Sequence, residues 1–359
     1  MLLNLSPEYW FLLILLFLSA ALKKYKFFLY ICIAYMLLIA CFRNVTVGTD
    51  YMGYYDDFKM IKNFHSMNLI RHSRFEEGFV GLILLFKSIS SDYMTFIGII
   101  TFIMIVSVIS GMKRLGVPIV YGILVYVLFG EYFVSFNIIR QMFVISLVMS
   151  FVYLLYQGRY MAFGIITVVV ALLFHRTEVV LLLLIPFHIY TKNNPVINKK
   201  FLYICLFGSF ILFYIGHTVM AKYFSVISNI GFMNMYESYI TGFWTEEEHG
   251  NTVALMYTFY SAIIIFCKDK NTRAFETYTF IFSICVFNVF NIFPTYASRI
   301  YHDFFMIVVY LVPLMMIDPN TRYRRIFNLA TIVFGLGWVI YSYAINNQGE
   351  INPFIFRSL

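Results

Sequence analysis

Three arginines stand at the ends of long apolar runs in this chain: Arg43, Arg140 and Arg299. Charge at membrane depth is costly, so such residues usually face a cavity or a partner. Each arginine belongs to a polar cluster. The first is Arg43-Asn44-Val45-Thr46-Val47-Gly48-Thr49-Asp50-Tyr51, followed by Tyr54 and Tyr55. Gly48 permits a tight turn, after which Asp50 could fold back toward the membrane; an interfacial anchor with an ordinary loop is the plainer reading. The second is Asn137-Ile138-Ile139-Arg140-Gln141, one turn into a predicted helix, where Asn137 and Arg140 share a face. Arg140 could snorkel to water or hold an anion. The third is Phe174-His175-Arg176-Thr177-Glu178, a polar knot between two apolar helices that could equally be a helical hairpin turn. The fourth runs from Pro294 through Tyr296, Ser298 and Arg299 to His302 and Asp303, where Arg299 and Asp303, four apart, could simply pair.

The spacing puts all four clusters on one side of the membrane. Guanidinium forks match phosphate oxygens bidentately, and helix N-termini add donors and positive potential. The chemistry that results is a membrane-level pocket for a phosphorylated amphiphile, with tyrosines that suit sugar faces or an ordinary aromatic belt. Other chemistries lack their residues. His65, His72 and His249 have no metal-site spacing. There is no GxSxG elbow, no P-loop and no GxGxxG that opens a helix.

The elements that must position these clusters are membrane helices. Of 359 residues, 61% are hydrophobic and 12% charged, with a mean hydropathy of +0.80. A soluble domain carries about twice that charged fraction. Apolar runs recur along the chain, and a crossing needs about 20 residues with every backbone group bonded internally. The runs are continuous, not alternating, so helices are expected. The predicted fold is all-α: a polytopic membrane helix bundle of about twelve transmembrane helices, forming a single integral membrane domain over residues 1–359. Crossings are expected near 8–22, 27–42, 93–112, 117–135, 137–156, 161–174, 179–190, 201–220, 254–267, 275–293, 300–317 and 326–344. The run 78–89 is too short and reads as interfacial or re-entrant. Outer segments are expected at 43–92 and at 221–253, the latter with Trp244 and Glu246, Glu247 and Glu248.

The first run, from Tyr9 to Leu22, has no basic start and no small-residue cleavage site, so it reads as a retained helix. The five cysteines lie in or beside apolar runs without CxxC spacing, as buried thiols would. The net charge of +8 could suggest nucleic acid, but the bases are scattered between helices. Fifteen of the 26 Lys and Arg fall in the predicted inner connections, against three of the 18 acids. That is the bias of membrane orientation, and it leaves both termini and the four clusters outside.

At these motifs the chain resembles the EpsG/Wzy group of bacterial polysaccharide polymerases. The likeness rests on Arg43 to Tyr51 with Tyr54, on Asn137-Ile138-Ile139-Arg140-Gln141, on Phe174-His175, and on Arg299 before an apolar run. It covers roughly residues 1 to 315. A departure follows the Phe-His pair, where the group usually has small residues and this chain has Thr177 and Glu178. The resemblance implies a GT-C-like glycosyltransferase in the bacterial cytoplasmic (inner) membrane, multi-pass, with its active site facing the periplasm or exterior. It would transfer a growing O-antigen, lipopolysaccharide or exopolysaccharide chain from undecaprenyl diphosphate onto another carrier-linked repeat unit. Its partners would be undecaprenyl-diphosphate-linked oligosaccharides, the lipid bilayer, a chain-length regulator and a flippase, with no nucleic acid, cofactor or metal. In that scheme Arg43, Arg140 and Arg299 hold the diphosphate. Asp50, His175 and Arg140 carry the chemistry. Tyr51, Asn137, Gln141, Glu178, Tyr296 and Asp303 bind glycan or acceptor. A glycan ligase on the same carrier and a non-enzymatic flippase are the alternatives.

Overall fold

The computed structural model describes residues 5–63, 75–227, 251–269, 273–291 and 299–357. They are helical throughout, with no strand among them beyond an isolated bridge between Arg43 and Phe356. They form two compact units. One comprises residues 1–185, 312–314 and 335–359, and the other residues 186–311 and 315–334.

The first unit opens with α1 (Pro7–Ala21) and α2 (Lys26–Phe42), packed against one another. Then come α3 (Tyr51–Met60), α4 (Glu77–Lys87), α5 (Tyr93–Arg114), α6 (Ile119–Leu128), α7 (Ile139–Met149) and α8 (Tyr160–Phe174). α5 packs against both α2 and α7, and α8 against both α7 and α4. The ends of α5 follow from sequence. Asp92 caps its start, accepting from the Thr95 backbone N–H at 2.9 Å. Its last turn carries Lys113 and Arg114, which suit the negative helix end. Gly116 then turns left-handed, φ 70°, while Val117 N–H bonds back to Met112 O.

In the second unit, α9 (Leu184–Asn193) leads to α10 (Lys199–Ile227), which packs against α11 (Asn251–Cys267) and α12 (Ala274–Phe290). A short helix, Tyr301–Phe305, packs on α12. α13 (Val308–Ile317) and α14 (Arg324–Val339) follow, each with residues in both units. Asn288, buried in α12, donates to Ser209 Oγ and Thr258 Oγ1. This polar link ties α10, α11 and α12 where an unpaired amide would be costly.

Four helical stretches among the described residues are long and apolar enough to cross a membrane: Tyr93–Arg114, Ile139–Tyr156, Lys199–Gly216 and Arg324–Ile345. Seven shorter apolar helices of 10–17 residues accompany them. Large apolar side chains stand exposed along helix faces. On α8, Met161, Ile165, Val169 and Leu172 are 81, 59, 48 and 53% exposed and recur at helical spacing. On α14, Ile326, Leu329 and Val333 do the same. Apolar surface of that extent is a membrane surface, and the protein is an α-helical membrane protein.

Four expected helices are divided, among them 300–317, which is split into Tyr301–Phe305 and α13. The stretch 117–135 breaks at Gly130, φ 86°, after which Glu131–Val134 forms a separate short turn of helix. The stretch 137–156 starts two residues late, at Ile139, because Ile138 is not helical, and is interrupted between Met149 and Tyr153. The stretch 179–190 begins as a 3-10 helix, Arg176–Leu183, before α9. α4 closely matches the expected 78–89 segment and, at 11 residues, is too short to span. Within the segment 43–92, expected to lie outside, α3 was not expected at all. α10 runs on through Ile227, into the segment read as a loop from 221. Trp244, the three glutamates and His249 lie outside the described residues, as do His65 and His72.

Candidate functional site

Three of the four polar clusters belong to the first unit, and they meet around the start of α7. Asn137 is the hub. Its Oδ1 accepts from Thr49 Oγ1 at 3.3 Å, and its Nδ2 donates to Gly349 O at 3.2 Å. Gly48 (φ 111°) and Gly349 (φ 72°) close on it from two chain segments. A Cβ at Gly48 would stand 2.8 Å from Asn137 Oδ1, and one at Gly349 would collide with the amide. The left-handed backbone and the close approach both require glycine. Because Asn137 precedes the helix, it does not share a helical face with Arg140 as the sequence suggested. Its amide faces the two loops, which hold it out of the helix.

Arg140, in the first turn of α7, pairs with Glu76, Nη1 to Oε2 at 2.5 Å. Glu76 sits at the N-cap of α4. Its other oxygen accepts from Arg176 N–H at 3.2 Å and lies 3.6 Å from His175 Nδ1. His175 Nε2 in turn lies 3.9 Å from Glu178 Oε1, and Glu178 is fully buried, with Thr177 Oγ1 donating to it. The imidazole therefore stands between two carboxylates. Burial works to raise the Glu76 pKa. The imidazole, the Arg140 charge and the backbone N–H groups outweigh it and bring the carboxyl from 4.5 to about 2. Glu76 is thus ionised at neutral pH.

Local packing explains how Glu76 arrives there. Gly78 lets α4 press on the end of α8, since a Cβ there would lie 2.7 Å from Leu173 Cβ. α8 stops at Phe174 because His175 turns extended, φ −164° and ψ 102°. Phe75, next to Glu76, stacks on Tyr54 of α3 with centroids 5.4 Å apart, and the Arg140 guanidinium lies 4.9 Å from the Phe75 ring. Tyr54 of the first cluster thus supports the arginine of the second.

Arg43 is held differently. It is 1% exposed, with its guanidinium 3.9 Å from the Tyr51 ring and 4.2 Å from the Phe136 ring. Its Nε and Nη1 are buried without a hydrogen-bond partner among the described residues. Tyr51 is equally buried, so its ring serves the arginine. The segment after α14 closes over this region. Asn44 N–H bonds to Ile355 O, Arg357 N–H to Phe42 O, Gly48 N–H to Glu350 O and Thr49 N–H to Gly349 O. The same segment ties down the start of α1 through Asn352 Oδ1, which accepts from Ser6 Oγ at 2.7 Å.

The remaining expected residues fall in both units. Asp50 is half-buried at the N-cap of α3, and Gln141 is buried behind Arg140 in sequence. Arg299, half-buried, and the buried His302 and Asp303 belong to the second unit; Tyr296 lies outside the described residues.

Sequence reasoning missed Glu76 and the 347–357 segment. Two signals pointed to them: an acidic pair, Glu76-Glu77, just before an apolar helix, and the turn-rich Asn346-Asn347-Gln348-Gly349 before Asn352-Pro353.

An arginine, an imidazole and two carboxylates are thus assembled where helices of a membrane protein end. The chain belongs to the EpsG family, whose model matches residues 8–356. It is a membrane protein of the polysaccharide-polymerase type. No curated protein and no solved structure matches it.

Proposed function

We propose that this protein polymerises polysaccharide repeat units, transferring a growing glycan from undecaprenyl diphosphate onto the sugar of another carrier-linked unit at the outer face of the cytoplasmic membrane. The observation that carries this reading is the Glu76–Arg140–His175–Glu178 cluster, joined through Asn137 to the Arg43–Tyr51 segment. In the reaction an acceptor hydroxyl oxygen attacks the anomeric carbon of the donor glycan. The bond from that carbon to the diphosphate oxygen breaks, and its electron pair leaves with the lipid diphosphate. Arginine charge stabilises the leaving group as it develops, the role assigned to Arg140 and Arg43. His175, poised between Glu76 and Glu178, takes the hydroxyl proton as general base. Asp50 is the other candidate for that proton. Tyr51, Asn137 and Glu178 act on the glycans only through the residues they hold: Tyr51 against Arg43, Asn137 between the two loops and Glu178 beside His175.

Cells carrying Arg140→Ala should make glycan of one repeat in place of a ladder. A normal ladder with stably expressed mutant protein would refute the role of Arg140. Purified protein given lipid-linked repeats and no nucleotide should build chains, and failure with intact substrate counts against catalysis. Long chains left on the carrier after loss of the protein would identify a ligase instead.

A further inference from the structure

We propose that Glu76 is an exchangeable internal counter-ion: it occupies the seat of the substrate's diphosphate on Arg140 and yields it when that group binds. The proposal rests on the polymerase reading and concerns the regulation of the same site. Glu76 acts through Arg140 and His175, so it is a positioning residue.

The two oxygens of the Glu76 carboxylate have different partners. Oε2 meets Arg140 Nη1. Oε1 accepts from the Arg176 N–H at 3.2 Å and lies 3.6 Å from His175 Nδ1. Departure from Arg140 therefore leaves the carboxylate with a backbone donor and an imidazole. Glu76 also stands at the N-terminus of α4, whose positive end favours an anion. A buried carboxylate that depended on one cation would be stranded by such a step; Glu76 is not.

Arg140 is equally suited to a change of anion. Its pairing with Glu76 runs through Nη1 alone, whereas a guanidinium fork can meet phosphate oxygens with two parallel N–H bonds. A diphosphate also brings more negative charge than a carboxylate. The side chains of Arg140 and Glu76 are 11 and 12% exposed, and that of His175 beside them 23%, so the pair is shielded from water but not sealed.

The exchange links binding to chemistry. Before substrate arrives, Glu76 keeps Arg140 neutralised in a region where a bare charge is costly. Once Oε2 is released, Oε1 keeps the carboxylate beside the imidazole that takes the acceptor proton, and its charge then stabilises the imidazolium. Glu76 thus weakens binding of the diphosphate and speeds the proton transfer that follows.

The test uses the full chain in phosphatidylethanolamine–phosphatidylglycerol nanodiscs. It measures binding of radiolabelled undecaprenyl diphosphate and, separately, turnover of lipid-linked repeats. Glu76→Gln removes the competing charge and keeps the side-chain shape. It should bind undecaprenyl diphosphate about tenfold more tightly and bind uncharged undecaprenol as wild type does. Its kcat should fall about 100-fold. A Glu76 that merely holds Arg140 in place predicts the reverse for binding, because a misplaced guanidinium grips an anion less well. The gain must also run through Arg140. Arg140→Gln should bind weakly, and adding Glu76→Gln to it should restore nothing. Glu76→Asp, which keeps the charge and shortens the reach, guards against misfolding of the first variant, with thermal melting as the check. It should lie between wild type and Glu76→Gln in affinity and keep more turnover. Weaker or unchanged binding by the two Glu76 variants, or a gain that persists without Arg140, overturns the proposal. Binding needs no turnover. If Glu76→Gln gains affinity through Arg140 yet wild type makes no polymer, the exchange stands and the polymerase reading fails. If wild type polymerises and the variants gain no affinity, the reading stands and the exchange fails.

Discussion

Arg140 lies against a carboxylate, whereas Arg43 lies against two aromatic rings. Both are buried, both begin or follow a helix of the first unit, and both are tied to Asn137 or its neighbours. At Arg140 the protein supplies its own anion, and Glu76 also reaches the imidazole. In the proposed reaction a substrate diphosphate would compete with Glu76 and on arrival release a carboxylate beside His175. At Arg43 the charge is met by ring faces, each worth about 2 kcal/mol when desolvated, against a desolvation cost of several kcal/mol. One arginine belongs to a balanced network and the other is an expensive cation kept in place. Under the proposed function, the difference separates a charge exchanged during a cycle from one that sets the potential of the region.

The largest effect expected is at the balanced site. Removing one partner of a buried pair costs about 3–5 kcal/mol, because the other charge is left uncompensated. Glu76→Ala and Arg140→Ala should each fall in that range by thermal unfolding in detergent micelles. The double variant should cost clearly less than their sum. Strict additivity would break the comparison, since Arg140 would then be no more tied than Arg43.

Next comes pH. Glu76 has a folded pKa of about 2, below its ordinary 4.5, so the ionised form favours folding. That stability, about 2–3 kcal/mol, is present in full above pH 4.5 and is lost as the pH falls through 2. Acid titration of the melting temperature should show the loss in wild type, and Glu76→Gln should flatten it. A wild-type curve unchanged by the substitution would remove Glu76 from the network.

Much of this site was visible in sequence, though not its wiring. Arginine in apolar surroundings marks itself by its cost, and Gly48 announced its turn. The helical fold followed from continuous apolar runs. Glu76 escaped because an acid in a loop is unremarkable until its partners, 64 and about 100 residues away, are brought beside it. The 347–357 segment escaped because its bonds are mostly backbone to backbone, which no side-chain pattern records. The helix breaks at Gly130 and Ile138 were hidden for a related reason. Hydropathy is blind to a single left-handed residue, and the Asn137 amide that holds the second break finds its partners only in space.

A smaller effect should come from the clasp that both arginines share. Gly349→Ala places a Cβ at φ 72° and against the Asn137 amide. Its cost should be about 1–2 kcal/mol. Removing the obstructing amide with Asn137→Ala should relieve part of that cost in the double variant. If Gly349→Ala is harmless alone, the segment is a passive tail and Asn137 is positioned from the Gly48 side only.

The smallest stability effect, and the sharpest functional one, belongs to Arg43. Exchange of a buried charge for an apolar side chain of similar length is often neutral or stabilising. Arg43→Met should therefore shift unfolding by less than about 1 kcal/mol in the destabilising direction. If the guanidinium is kept for its charge, the same variant should abolish ladder formation, and Arg43→Lys should restore little, because an ammonium neither stacks between the rings nor presents a planar fork. A stable Met variant that polymerises normally would make Arg43 an anchor of the Tyr51–Phe136 packing. The functional cation of the first unit would then be Arg140 alone, and the contrast between the two arginines would be one of packing, not chemistry.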